Sequence, residues 1–235
     1  MIALYIWIFS LLPLVCGNTE KVIFLGPPPV DVLSTYPGLD HLELGRLSPE
    51  NVTIRTHLKA EFPDHGSGSG RGKPAWFVLH NLMEGQRYEV RLCWAATQPT
   101  SFRLEAYELD TVFKAPNLKT DLSEYASTLQ SNIGNHVAIS PQALKDHRED
   151  SVMLLRILAA ADFYTTNHTL MENVPPVYVD IILDPFISNI LPKSLLPTIA
   201  YITVVVVVSW FAGKRISSWI RQIAAQPAKY EKKYQ

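Results

Sequence analysis

The side chains of this sequence that could do chemistry are few and scattered. Glu108-Leu109-Asp110 sets two carboxylates two positions apart, a spacing used by sugar-nucleotide transferases to hold a divalent cation. Hard cations take several oxygen ligands, however, and an acidic pair closing a strand more commonly lies on solvated surface. The seven histidines stand at positions 41, 57, 65, 80, 136, 147 and 168. None forms a His-x-His or a helical i, i+4 pair with further ligands nearby, so no zinc site is spelled out. The stretch "DHGSGSGRGKP", Asp64 to Pro74, ends in a Gly-Lys pair. A phosphate-binding loop needs glycine five residues before that pair and Ser or Thr after it. Ser67 and Pro74 occupy those places, so the stretch reads as a flexible Gly/Ser connection. No catalytic, cofactor-binding or metal-ligating residues are expected.

Other motifs concern modification and address. Asn51-Val52-Thr53 and Asn167-His168-Thr169 are N-glycosylation acceptors, which mark surface positions if modified. Lys232 and Lys233 are fourth and third from the last residue. On a cytosolic tail that offset resembles the dilysine retrieval signal that coat proteins read on membrane proteins of the endoplasmic reticulum. Such signals are addresses rather than anchors.

Charge is partitioned along the chain. Lys214 to Gln235 carries six basic residues against Glu231, a net +5. The rest keeps 15 basic and 21 acidic residues, a net −6. A mildly acidic body lacks the basic stripe of a nucleic-acid binder.

Two apolar segments frame that body. Residues 1–17, "MIALYIWIFSLLPLVCG", are too short for a comfortable span and read as a cleaved signal peptide. Residues 195–213 hold no charged side chain. At 1.5 Å per residue they reach roughly 28 Å, close to the hydrocarbon thickness of the reticulum bilayer. Lys214 and Arg215 follow directly, and the positive-inside bias places them in the cytosol. The expected organisation is a signal peptide (1–17), a lumenal domain (18–194), one transmembrane helix (195–213) and a basic cytosolic tail (214–235).

Within the body the apolar period is mostly two. "KVIFLG", "NVTIRTHL", "AWFVLHNL", "RYEVRLCWA", "FRLEAYEL" and "VYVDIIL" alternate or run apolar with β-branched and aromatic content. "SVMLLRILAAADFY" suits strand or helix, and "DLSEYASTLQ" a short helix. The fold class expected is mainly β: an antiparallel β-sandwich of fibronectin or immunoglobulin kind, plus one C-terminal transmembrane helix. In "LHNLMEGQRYEV", Leu82, Gly85 and Tyr88 fall at the spacing of the fibronectin-type corner. Tyr88 is therefore expected to bond back to the preceding corner. Cys16 leaves with the signal peptide, so Cys93 is left alone in the mature body. A buried thiol beside Trp94 is the reading preferred over pairing with a second chain.

The block "NLMEGQRYEVRLCWAATQPTSFRLEAY", Asn81 to Tyr107, together with "KVIFLGPP", resembles a fungal family. It is the co-activator family of glycosylphosphatidylinositol mannosyltransferase II. The order of parts is similar as well: signal, β-rich lumenal body, one span, short basic tail. The resemblance implies an accessory protein that transfers no sugar itself. Its implied partner is a multi-spanning catalytic subunit that adds the second mannose to the lipid-linked glycan precursor. Within the block, Arg91, Trp94, Gln98 and Pro99 are the candidate partner contacts, unless Trp94 is core and Gln98-Pro99 a turn. A cargo receptor or folding factor cycling between reticulum and Golgi would carry the same topology. So would a lumenal enzyme held by one helix.

Overall fold

A computed structural model of the chain describes residues 17–36, 38–63, 72–132 and 149–225. The chain divides into two units, Met1–Ile190 and Leu191–Gln235.

The first unit is mainly β. Its strands are β1 (Gly17–Leu25), β2 (Gly45–Leu47), β3 (Thr53–Leu58), β4 (Lys73–Leu79), β5 (Arg87–Ala95), β6 (Thr100–Glu108), β7 (Met153–Ala161) and β8 (Val177–Ile187). One sheet runs β1-β5-β8-β3, with every one of these pairings antiparallel. The other runs β2-β4-β7-β6. Its β4-β7 and β7-β6 pairings are antiparallel, but β2 lies parallel to β4 with Arg46 opposite Val78. The expected all-antiparallel pattern therefore fails at one short strand. Parallel neighbours need a crossover, and the segment from Ser48 through β3 supplies it.

Period-two alternation explains the core. Successive side chains of a strand point to opposite faces. Tyr88, Val90 and Leu92 of β5 share one face with Val179, Ile181 and Leu183 of β8. Phe77 and Leu79 of β4 share a face with Leu155 and Met153 of β7. All of these residues belong to a single buried cluster drawn from both sheets. Burying each large aliphatic side chain there contributes about 1.5–3 kcal/mol.

The second sheet is covered on its other face too. Among the described residues three α-helices precede β7 in this unit: α1 (Val32–Thr35), α2 (Leu109–Lys114) and α3 (Pro116–Asn132). Trp76 and Val78 of β4 and Leu154 of β7 form a second buried cluster with Leu109 and Val112 of α2 and Leu122 of α3. On α3, Leu118, Leu122, Tyr125 and Leu129 recur at helical spacing, which turns one stripe toward the sheet. Pro116 opens α3 at a position where its missing N–H costs little. Double cover explains why β7 reads as an apolar run broken only by Arg156: eight of its nine residues are buried. A strand buried on both faces loses the alternation that distinguishes it from a helix.

A short helix α4 (His168–Glu172) precedes β8. The second unit holds β9 (Leu191–Pro192), a 3-10 turn at Lys193–Leu195 and α5 (Leu196–Ala224). The segment Lys193–Ala224 is long and apolar enough to cross a membrane. Pro197 sits in the first turn of α5. The helix passes through Gly213, Lys214 and Arg215 without a break, so the expected boundary at 213 falls inside a continuous helix. At 1.5 Å per residue α5 measures about 44 Å, longer than a ~30 Å hydrocarbon core.

Candidate functional site

The sequence block Asn81 to Tyr107 folds into the β4–β5 turn, β5, the β5–β6 turn and most of β6. Tyr88 is fully buried at the start of β5. Its hydroxyl accepts the Met83 amide N–H at 2.9 Å and donates to Gln86 Oε1 at 2.9 Å. Both partners lie in the turn just before it. The Tyr88 ring stacks on Phe24, with centroids 5.8 Å apart. Burial pushes the Tyr88 phenol above its ordinary pKa.

The four candidate contacts are not gathered on one surface. Arg91 and Trp94 are three positions apart on β5, so they point to opposite faces. Trp94 turns inward, half-buried, and meets Phe102 edge-on at 4.7 Å. Its indole N–H is buried with no hydrogen-bond partner among the described residues. Gln98 and Pro99 lie in the β5–β6 turn. The Gln98 side chain accepts the Tyr178 N–H at 3.2 Å and donates to Pro176 O at 3.5 Å, tying that turn to the start of β8. Pro99 O accepts the Asp162 N–H.

Arg91 faces outward into an ionic network. It lies 3.4 Å from Glu89 and 3.4 Å from Asp184, and Lys21 reaches Glu89 at 3.3 Å. Glu89 and Asp184 are only 5% and 4% exposed. Buried carboxylates need paired cations, and Lys21 and Arg91 supply them here. Further along the same face Arg55 and Asp180 pair bidentately at 2.6 and 2.9 Å. The Arg55 guanidinium holds the Asp180 carboxyl below its usual range. Cys93 also lies on this face, half-buried, with its thiol 3.7 Å from Thr19 Oγ1.

A second polar group, not singled out in the sequence, occupies the helix-covered side of the other sheet. Arg156 of β7 reaches Glu105 at 3.3 Å and pairs closely with Asp121 of α3. Tyr107 donates to Glu105 at 2.8 Å, and the guanidinium lies 5.8 Å from the Trp76 ring centroid. A cavity of about 800 Å³ opens beside it, lined by residues including Lys73, Asn117, Glu124 and Tyr125. Glu105 and Asp121 are both engaged by the guanidinium. The ligand sequence separations are 51 and 35 residues, so no local motif signals them.

Asn51 and Asn167 are both exposed. Asn51 sits in the turn before β3, bonded through its backbone to Ser48. Asn167 caps α4, its Oδ1 accepting the Thr169 N–H at 3.0 Å. Glu108 ends β6 and Asp110 lies in the first turn of α2. Asp110 accepts from both Tyr36 and Lys114 in close contacts, which draws its carboxyl pKa down. Among the described residues no three His, Cys, Asp or Glu side chains come together as a metal site. Residues 1–16 of the expected signal peptide, residues 64–71 of the Gly/Ser stretch and the pair Lys232–Lys233 lie outside the described residues. Comparison with family models, with curated proteins and with solved structures finds no match to this chain.

Proposed function

We propose that this protein is a non-catalytic accessory subunit of an endoplasmic-reticulum mannosyltransferase. In this reading it is required when the second mannose is added to the glycosylphosphatidylinositol precursor. The observation that carries the reading is the block Asn81 to Tyr107, which resembles the co-activator family. This block builds β5 of one sheet and most of β6 of the other. Among the described residues one helix is able to cross a membrane, in the same chain as a β-rich body, which agrees with a tethered partner protein. The shared core of the two sheets supports the finer reading of the body as a fibronectin- or immunoglobulin-like sandwich. In this account the body, with Asn51 and Asn167, is lumenal. Lys232 and Lys233 are cytosolic and return escaped molecules through coat proteins. The partner is a multi-spanning catalytic subunit.

Depletion of the protein tests this directly. The one-mannose glycolipid should accumulate, and affinity isolation in mild detergent should recover a multi-spanning mannosyltransferase. Normal precursors after depletion would sink the proposal. The competing reading, a receptor cycling between reticulum and Golgi, predicts loss of function when Lys232 and Lys233 are changed to Ser. A subunit held by its partner keeps working in that variant.

A further inference from the structure

Three separate segments meet where the first sheet hands the chain toward α5. They are the end of β1, the β4–β5 turn and the end of β8. Gly26 N–H donates to Gln86 O at 2.8 Å, and Gly85 N–H to Gly26 O at 2.9 Å. Gln86 Nε2 donates to Phe186 O at 3.1 Å. Asn189 completes the lacing: its Oδ1 accepts the Arg87 N–H at 2.7 Å and its Nδ2 donates to Gly85 O at 2.9 Å. Ser188 and Asn189 both adopt left-handed backbone, with φ of 52° and 59°. That conformation is uncommon outside glycine, and here it closes the turn Ile187–Ile190 by a 3.1 Å bond.

This well-tied platform presents large apolar side chains to solvent. Leu25 is 55% exposed, Met83 66%, Ile187 41% and Ile190 81%. Single exposed hydrophobics need no explanation, but a cluster on one end does. At the opposite end of the sheet, exposed Tyr164 and Leu170 stand among Thr165, Thr166, Asn167 and His168.

We propose that this platform, Leu25, Met83, Ile187 and Ile190, rests in the headgroup region of the bilayer and fixes the body against the membrane. The proposal rests on the reading of α5 as a membrane span. Chain length selects lipid as the occupant. Ile190 precedes Lys193, the first residue of the candidate span, by three positions. Three residues reach at most about 11 Å. The backbone ties Ile190 to the start of the span, and the laced bonds join its turn to Gly85 and, through it, to Gly26, the residue after Leu25. Arg87 and Glu84, both exposed here, carry opposite charges, so an anionic surface is not required and zwitterionic lipid suffices.

The full chain, with Cys16 and Cys93 replaced by Ser, is reconstituted alone into phosphatidylcholine vesicles. Single cysteines at Met83, Ile190 and Thr97 carry an environment-sensitive fluorophore, and a quencher is attached to the lipid chains near the headgroups. Emission at 83 and 190 should shift to the blue and be quenched; emission at 97, in the β5–β6 turn, should do neither. If 83 and 190 behave like 97 while the protein resists alkaline carbonate extraction, the platform proposal is overturned and the span stands. Release by carbonate overturns both. Quenching absent in pure lipid, with the blue shift appearing only in native microsomes, overturns lipid in favour of a protein partner. A Met83→Ser/Ile190→Ser variant labelled at Leu25 should lose quenching at an unchanged unfolding temperature. Undiminished quenching there would count against the platform.

Discussion

Tyr88 and Met83 are joined by a 2.9 Å hydrogen bond from the Met83 amide to the phenol, five residues downstream. The bond spans the turn that opens the block Asn81 to Tyr107, and it ends on a side chain with no exposed surface. Tyr88→Phe keeps the ring and its stacking on Phe24 but leaves the amide and Gln86 Oε1 without that partner. The expected loss is about 1–3 kcal/mol, read as a lowered urea midpoint for the chain in mild detergent. An unchanged midpoint would show that water replaces the hydroxyl at no cost.

Gly26 is fixed by close approach. A Cβ on it would lie 2.2 Å from Met83 O, a distance no side chain tolerates against backbone. Gly26→Ala should cost about 1–3 kcal/mol as an overpacked site and loosen the lacing between β1 and the β4–β5 turn. Faster amide exchange at Gly85 and Gln86 is the specific readout.

Arg156 joins β6, β7 and α3 through Glu105 and Asp121. Arg156→Met should destabilise by about 1–3 kcal/mol, because two partly buried carboxylates lose their cation. Adding Glu105→Gln and Asp121→Asn to that variant should recover part of the loss. A triple variant less stable than the single one would contradict the ionic account.

Tyr125 packs against both buried clusters, and desolvation pushes its pKa up to about 12. The fold therefore holds the neutral phenol. Its contribution to stability is complete below the ordinary tyrosine pKa near 10. It is lost as pH rises through the window from about 10 to about 12. Titration followed by phenolate absorbance should show late-ionising tyrosines, Tyr36 among them, and one fewer in Tyr125→Phe, with stability in that variant falling less over the same window.

Asn51 and Asn167 test which side of the membrane the body occupies. Asn51→Gln and Asn167→Gln should each remove one glycan-dependent mobility step, and the double variant should migrate as the enzymatically deglycosylated chain. An unmodified wild-type chain would remove this support for a lumenal body.

Much of the β architecture was legible because alternation is a local property. β5 and β8 bury one face and β1 packs Val22 and Phe24 against the same core, and their sequences say so. β7 was ambiguous between strand and helix because both its faces are covered, and only the layers around it resolve that. The parallel pairing of β2 was hidden: three residues carry no register signal. The helix at Asp121 to Gln130 was visible in part, but its true extent, Pro116–Asn132, depends on packing against Trp76 and Val78. Lys214 and Arg215 read as the end of a span, yet nothing in them breaks a helix, and α5 runs through them. The polar groups were the least legible. Arg91 and Trp94 looked like neighbours in the sequence and turn out to serve opposite faces. Arg156 finds its partners through contacts that only the assembled sheet and helix create.

β7 belongs to two layers at once, and that gives it a mechanical role. Leu155 and Ile157 grip the first sheet, while Leu154 grips the helices, in strict succession along a few residues. A push delivered to α3 has this short backbone segment as a direct route to the far layer. The strand works as a keel: the helical side and the opposite sheet cannot loosen independently, and its amides should be among the last to yield to solvent.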